Sequence, residues 1–153
     1  MLNRIILKEA NADNSFQIAA IEKECFSEPW SQNSVNEFIC GNGNTILCAF
    51  YNNRLCGYVS KTQVLDEIQI ANVAVSEEFR RQGIASILIE TIINKSISQN
   101  VSFITLDVRK SNIAAIKLYE KHGFNPEGIR KNYYKNPSED AIIMNRYLDK
   151  GNL

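Results

Sequence analysis

Apolar positions recur along this chain with two periods, and the switches between them mark out its elements. RIILK (4–8) reads as a short strand. In DNSFQIAAIEKECF (13–26), Ile18, Ile21 and Cys25 fall on one helical face, and Asn14 with Gln17 three residues on gives a helix-start signal. After SEPW, Val35, Phe38 and Ile39 share a face of a second short helix whose start is marked by Ser34 with Glu37; GNGN then breaks the chain. TILCAFY and RLCGYVSKTQVL are strand-like, and Asn52-Asn53 between them predicts a hairpin, because asparagine tolerates the positive φ of such turns. Asp66-Glu67 turns the chain again into IQIANVAV, giving three antiparallel strands.

From Ile84 to about Ser98 the period changes, and Ala85, Leu88, Ile89, Ile92, Ile93 and Ile97 form a helical stripe. VSFITLDVR is a further strand. NIAAIKLYEKHGF is a further helix, closed by Gly123, which can take the left-handed conformation past its end. GIRKNYY and DAIIMNRYL finish as two strands around KNPSED. The order β-α-α-β-β-β-α-β-α-β-β predicts an α/β fold, a mixed, mostly antiparallel sheet with helices on both faces. With 153 residues and no linker, repeat or low-complexity tract, one domain spanning 1–153 is expected.

Composition narrows the chemistry. Seventeen basic residues balance seventeen acidic ones, and no basic block exceeds the pairs Arg80-Arg81 and Arg130-Lys131, so charged residues read as a solvated face and no nucleic-acid partner is expected. Cys25, Cys40, Cys48 and Cys56 form no CxxC pair and His122 is the single histidine, so no metal is expected. The cysteines lie in apolar surroundings such as ILCAF and read as buried thiols of a reducing compartment. The opening MLNRIILKEANADN carries an apolar run of IIL only, which is neither a signal peptide nor a membrane span. The expected location is the cytoplasm, with no membrane partner.

RRQGIA, between the strand-like NVAV and the helical stripe, has two readings. One is an ordinary strand-to-helix turn with surface arginines. The other is an anion site: the first helical turn offers free N–H groups, Gly83 admits close approach, and Arg80 and Arg81 add charge with forked donors, which suits a phosphate. Neither GxxxxGK[ST] nor GxGxxG is present.

Arg80-Arg81-Gln82-Gly83-Ile84-Ala85 resembles the [R/Q]-x-x-G-x-[G/A] acetyl-CoA pyrophosphate loop of the GNAT acyltransferases. LDVRKSNIAAIKLYEKHGF is similar to the second cofactor-contacting half of that fold. IRKNYYKNPSEDAIIM and ECFSEPWS resemble its RimI branch, the ribosomal-protein-alanine N-acetyltransferases. Together the matches span nearly the whole chain in the expected order. The resemblance implies the GNAT fold, acetyl-CoA as co-substrate, and a protein N-terminus as acceptor, namely the N-terminal alanine of small-subunit ribosomal protein eighteen. A small-molecule amine, a lysine side chain, or cofactor binding without turnover stay open as alternatives.

The resemblance also assigns residues. Val73, Ala74 and Val75 would pair their main chain with the pantetheine arm, and Arg80, Arg81, Gln82, Gly83, Ile84, Ala85 and Ser86 would hold the pyrophosphate. Asn112 has two roles available, a helix N-cap and a cofactor hydrogen bond. Tyr119 belongs beside the apolar face of its helix, where an aromatic is usually core; the resemblance points its hydroxyl at the thioester sulfur. Asp107 is a departure, since the RimI pattern has glutamate in LEVR and this chain reads LDVR. It is either the general base, acting through water, or a carboxylate capping the following turn, and by alternation it shares a face with Val101, Phe103 and Thr105. Trp30, the turn Asp66-Glu67 and the pair Tyr133-Tyr134 match positions lining the family's peptide groove, Glu67, Tyr134 and Trp30 being the acceptor candidates; core packing or a solvated turn is the alternative for each. An acyl-cysteine route is disfavoured, because no cysteine lies in the predicted cofactor half and no histidine pairs with one.

Overall fold

The computed structural model describes residues 2–148. Its elements are β1 (Ile6–Glu9), α1 (Ser15–Cys25), α2 (Gln32–Cys40), β2 (Asn44–Tyr51), β3 (Arg54–Val64), β4 (Glu67–Val75), α3 (Ile84–Ser98), β5 (Phe103–Arg109), α4 (Ile113–Lys121), β6 (Asn125–Tyr134) and β7 (Glu139–Tyr147). This is the expected order. The seven strands form one sheet in the order β1-β2-β3-β4-β5-β7-β6, antiparallel everywhere except between β4 and β5. α3 makes the crossover which that parallel pair needs.

Local chemistry explains most boundaries. Asn52 and Asn53 both take positive φ (49° and 62°), as the two-residue hairpin between β2 and β3 requires. Gly123 ends α4 at φ 85°. Two helix starts differ from expectation. Asn14 makes no side-chain cap for α1; it closes a reciprocal capping box with Asn11 around a 3₁₀ turn at Ala12–Asn14. α2 is capped by Ser31, whose hydroxyl accepts from Ser34 N at 3.1 Å, so Ser34 is the partner and not the cap. In both cases the serviceable side chain sits one turn earlier than the apolar stripe suggests. Glu77–Phe79 adds a 3₁₀ turn before α3.

Two cores form on opposite faces of the sheet. Along β2 the faces alternate: Ile46, Cys48 and Phe50 join Ile18, Ile21, Val35 and Tyr58 under α1 and α2, while Ala49 joins Leu88, Ile89, Ile92, Ile104 and Met144 under α3 and α4. Val101 is 1% exposed but precedes β5, so it is not on the face of Asp107, which continues with Phe103, Thr105 and Arg109.

The sheet opens at its centre. β4 and β5 pair only over Glu67–Ile70 and Phe103–Leu106; past that point β5 remains paired with β7, and β4 with β3. The β3–β4 register shifts where Ser60 and Lys61 face Asn72 and Ile70, leaving Ala71 as an extra residue. Such a bulge sharpens local twist and turns the end of β4 away from β5.

Candidate active site

The gap between β4 and β5 leads to a hollow on each face of the sheet. On the α3–α4 side a space of about 420 Å³ is lined by Val73, Val75, Arg80, Arg81, Gly83, Ile84, Ala85 and Ser86, with Leu118 and Lys121 from α4. On the α1–α2 side a space of about 450 Å³ is lined by Trp30, Asp107, Asn112, Tyr133 and Tyr134, with Cys25 and Phe26 from α1 and the loop after it and the fully buried Glu22 beneath. Val73, Ala115 and Tyr119 line both. Of the cofactor and peptide-groove residues named from the sequence, Ala74, Gln82, Asp66 and Glu67 line neither.

The α3-side hollow joins apolar side chains of β4, α3 and α4 to the main-chain groups of the β4 edge and the turn before α3. Val75 O accepts from Arg80 Nε at 2.9 Å and from the Cys25 thiol at 3.6 Å, while Ser76 N donates across to Cys56 O. By strand alternation the main-chain groups of Val73 and Val75 face the gap and those of Ala74 face β3. Ala74, 4% exposed, packs in the α1–α2 core instead. In the loop before α3, Arg81 (φ 62°) and Gly83 (φ 84°) both take left-handed backbone. A non-glycine residue there is uncommon and concentrates at ligand loops. The turn leads straight into the free N–H groups at the start of α3, a concave donor surface suited to an anion. Gln82 points away and donates to Glu78 O at 3.4 Å. Ser86 Oγ lies 2.6 Å from His122 Nε2, and burial, with Lys121 and Arg146 adding to it, holds the imidazole below its usual pKa. An extended amide arm ending in a diphosphate fits this donor set: strand edge for the arm, loop and cations for the phosphates.

The α1-side hollow is made of side chains. Asp107 extends from the end of β5, its side chain 12% exposed, and accepts from Arg130 Nε of β6 at 3.1 Å. It does not cap the turn that follows; Ser111 N donates to Glu139 at 2.6 Å instead. Tyr119 is 7% exposed, set edge-on to Phe124, and burial pushes its phenol well above the usual range. Tyr134 is half-buried and pushed up to about 12, first by burial and then by the Asp107 charge. Tyr133 meets it edge-on, with ring centroids 5.1 Å apart. Asn112 caps α4 by accepting from Ala115 N at 3.2 Å, and also lines this hollow. Trp30 packs on Phe38 at 5.0 Å between centroids. Glu67 starts β4 opposite Phe103, on the same face as Asp107 but four residues back, about 13 Å away along the strands. Asp66 accepts from both the main chain and the hydroxyl of Ser102.

Three residues here carry no local sequence signal. Arg109 donates to Pro137 O, Lys135 O, Glu139 and Ser27, and stacks on the Tyr134 ring at 4.5 Å, so one guanidinium ties the β6–β7 turn to the α1–α2 loop. Glu22 lies fully buried under the hollow. No cysteine lies in the half of the sequence expected to contact the cofactor, but the fold brings one to it: α1 carries Cys25 to the Val75 carbonyl, 50 residues away in sequence, with Arg80 Nη2 at 3.3 Å from its sulfur. Burial, the largest influence, raises the pKa of that thiol, which disfavours the thiolate a nucleophile needs. His122 partners Ser86. Among the described residues no three His, Cys, Asp or Glu side chains gather as a metal site would, and no helix is long and apolar enough to cross a membrane.

The sequence pattern of the acetyltransferase (GNAT) family matches residues 16–124. The chain is 38% identical over 128 residues to the [ribosomal protein bS18]-alanine N-acetyltransferase of Escherichia coli strain K12, covering 81% of this chain and 84% of that one. It is 33% identical over 153 residues to the protein of the same name from Haemophilus ducreyi, covering 97% and 100%. The crystal structure of the ribosomal-protein-S18-alanine N-acetyltransferase from Escherichia coli superimposes with a TM-score of 0.88 at 31% identity, covering 97% and 98%. The family pattern and these relatives agree with the split central sheet and anion-suited turn of this chain, and the chain belongs to the GNAT family of acetyltransferases.

Proposed function

We propose that this protein transfers acetyl from acetyl-CoA to the N-terminal α-amine of a protein, the N-terminal alanine of ribosomal protein bS18 being the acceptor its relatives point to. The observation that carries the reading is the position of Tyr119, which lines both hollows at the gap in the sheet. Acetyl-CoA would supply an acetyl group already activated as a thioester. The main chain of Val73 and Val75 would hold its amide arm, and Arg81, Gly83, Ile84, Ala85 and Ser86 its diphosphate.

Tyr119 would donate a hydrogen bond to the departing sulfur. With reference pKa values of about 10 for a phenol and about 8.5 for a thiol, complete proton transfer is uphill by roughly 2 kcal/mol, and the burial of Tyr119 steepens that. Its role is therefore donation within the transition state. Asp107 would accept the amine proton through a water, with Arg130 holding Oδ1 and setting the carboxylate's direction. An α-amine has a reference pKa near 7.8 against about 10.4 for lysine, so at pH 7 freeing it costs about 1 kcal/mol rather than about 4.6. A short carboxylate suits that lighter task. Attack would be direct, since the Cys25 thiol is held protonated by burial and His122 is engaged elsewhere.

Trp30 and Tyr134 would flank the acceptor's first residues, and Glu67, along the same sheet face, would meet basic residues further on. On this reading residues 1–153 act as one domain in the cytoplasm, with neither nucleic acid nor membrane as partner. The deciding experiment is acetyl-CoA consumption with a peptide beginning with alanine, followed by mass mapping of the product. Acetyl on the α-amine is expected; consumption only with small amines or lysine side chains would replace the reading. Labelled acetyl-CoA without acceptor should leave the protein unlabelled, and stable label on Cys25 would overturn direct attack.

A further inference from the structure

Glu22, in the last turns of α1, is a carboxylate with no exposed surface. Three donors from three separate elements converge on it. Trp30 N, in the α1–α2 loop, donates at 2.8 Å; the Asn72 side-chain amide, beside the β4 bulge, donates at 2.9 Å; and the Tyr58 hydroxyl of β3 donates as well. Among the described residues no lysine, arginine or histidine pairs with it. A carboxylate buried without a counter-cation is costly, and hydrogen bonds offset that cost only when all of them are made together. A fold needing only packing there would be served as well by an apolar residue.

The three donors are not scattered. Trp30 and the loop from Phe26 form one wall of the α1-side hollow, and Asn72 and Val73 form the rim of the gap opposite. Tyr58 fixes Glu22 from the sheet behind, and the Glu22 charge, after burial, is the strongest influence pushing that phenol's pKa up. Loop and strand thus have no shared main-chain ladder here and meet through one carboxylate.

We propose that Glu22 is a positioning residue for the acceptor: it locks the loop at 26–30 to the open end of β4 and so fixes the width of the mouth through which the amine reaches the thioester. The proposal rests on reading the α1-side hollow as the acceptor site. Glu22 is shut off from solvent and does not itself touch the reacting atoms.

Trp30 is the single tryptophan of the chain, so both its main-chain amide and its fluorescence report on this lock. Glu22→Gln keeps the volume and one acceptor, and turns charge-assisted bonds into neutral ones of about half the strength. Hydrogen exchange at the Trp30 amide should quicken about ten-fold, while amides inside α3 stay unchanged. The KM for an alanine-starting peptide should rise about ten-fold, with kcat and the KM for acetyl-CoA within about two-fold of the parent. Adding Asn72→Asp returns a carboxylate to the same cluster from the other wall, and should restore both readouts to within about three-fold. Tyr58→Phe, which keeps the ring, should show the same pattern at about three-fold and serves if the Glu22 variant fails to fold. Unchanged Trp30 exchange, quickening spread evenly over the chain, a matching rise in the KM for acetyl-CoA, or no recovery in the double variant would overturn the proposal. If the parent does not acetylate the peptide, the acceptor reading fails by itself, and the exchange measurements still decide whether Glu22 is the lock.

Discussion

The hollow beside α3 and the hollow beside α1 meet at Tyr119 but are built by opposite means. The first is bounded by strand edge, one left-handed turn and a helix start, most of it within residues 73–86 and the rest on α4. The second draws side chains from α1, the loop after it, β4, β5, α4 and β6. Main-chain recognition makes few demands on side chains and survives sequence change, whereas a wall of side chains can be retuned for a new acceptor one residue at a time. Substitutions should therefore separate cleanly, with changes beside α3 altering cofactor affinity and changes beside α1 altering the acceptor or the chemical step.

Tyr119→Phe should have the largest effect, lowering kcat about 100-fold with the KM for acetyl-CoA nearly unchanged, as steady-state kinetics would show. In the proposed role the phenol acts in its protonated form, and its pKa is raised above the reference value of about 10. The parent's rate should thus climb through the acceptor's amine pKa and show no descending limb up to about pH 10; a fall beginning near pH 9 would remove Tyr119 as donor. Asp107→Asn should cost about 30-fold in kcat/KM at pH 7, shrinking as the pH passes about 8 and the amine loses its proton unaided. A loss equal at every pH would mean that Asp107 holds Arg130 in place and takes no proton.

Gly83→Ala tests the other hollow. An added Cβ would meet only the flexible Leu2 side chain at 3.3 Å, so the penalty comes from φ 84° and amounts to about 1–2 kcal/mol. Calorimetry should show acetyl-CoA bound about ten-fold more weakly, with the peptide KM unmoved; an equal rise in peptide KM would erase the division between the hollows. The smallest expected effect is that of Asp66→Asn with Glu67→Gln, about three-fold in KM for a basic peptide and none for a neutral one. Because Asp66 is engaged with Ser102, that effect should come through Glu67.

The same contrast governs what could be read from the sequence. α3, the hairpin at Asn52-Asn53 and the stop at Gly123 follow from periodicity and from residues that tolerate positive φ, all visible within a short window. The anion-suited turn is equally local. Val73 and Val75 could be named, but that Ala74 faces away depends on where β4 parts from β5, which only the register reveals. The contacts of Cys25, Arg109 and Glu22 are not legible in the sequence because their partners lie 50 to 55, 26 to 82, and 8 to 50 residues away, and nothing in their immediate neighbours announces those meetings. The two misplaced caps have a smaller cause: Ser31 and Asn11 stand before the apolar stripes that drew attention to Ser34 and Asn14.

A sheet that splits midway carries a hazard that barrels and paired strands avoid, an inner rim of unladdered peptide groups able to recruit a stray strand from another molecule. Here Arg80 and Cys25 sit on the Val75 carbonyl like a cover on a socket. Anything that plugs in must first trade places with a charged side chain, which a polar, flexible guest can do and a sticky β-segment does poorly. A charged guanidinium on that open rim is the kind of cover by which exposed strand edges are blunted.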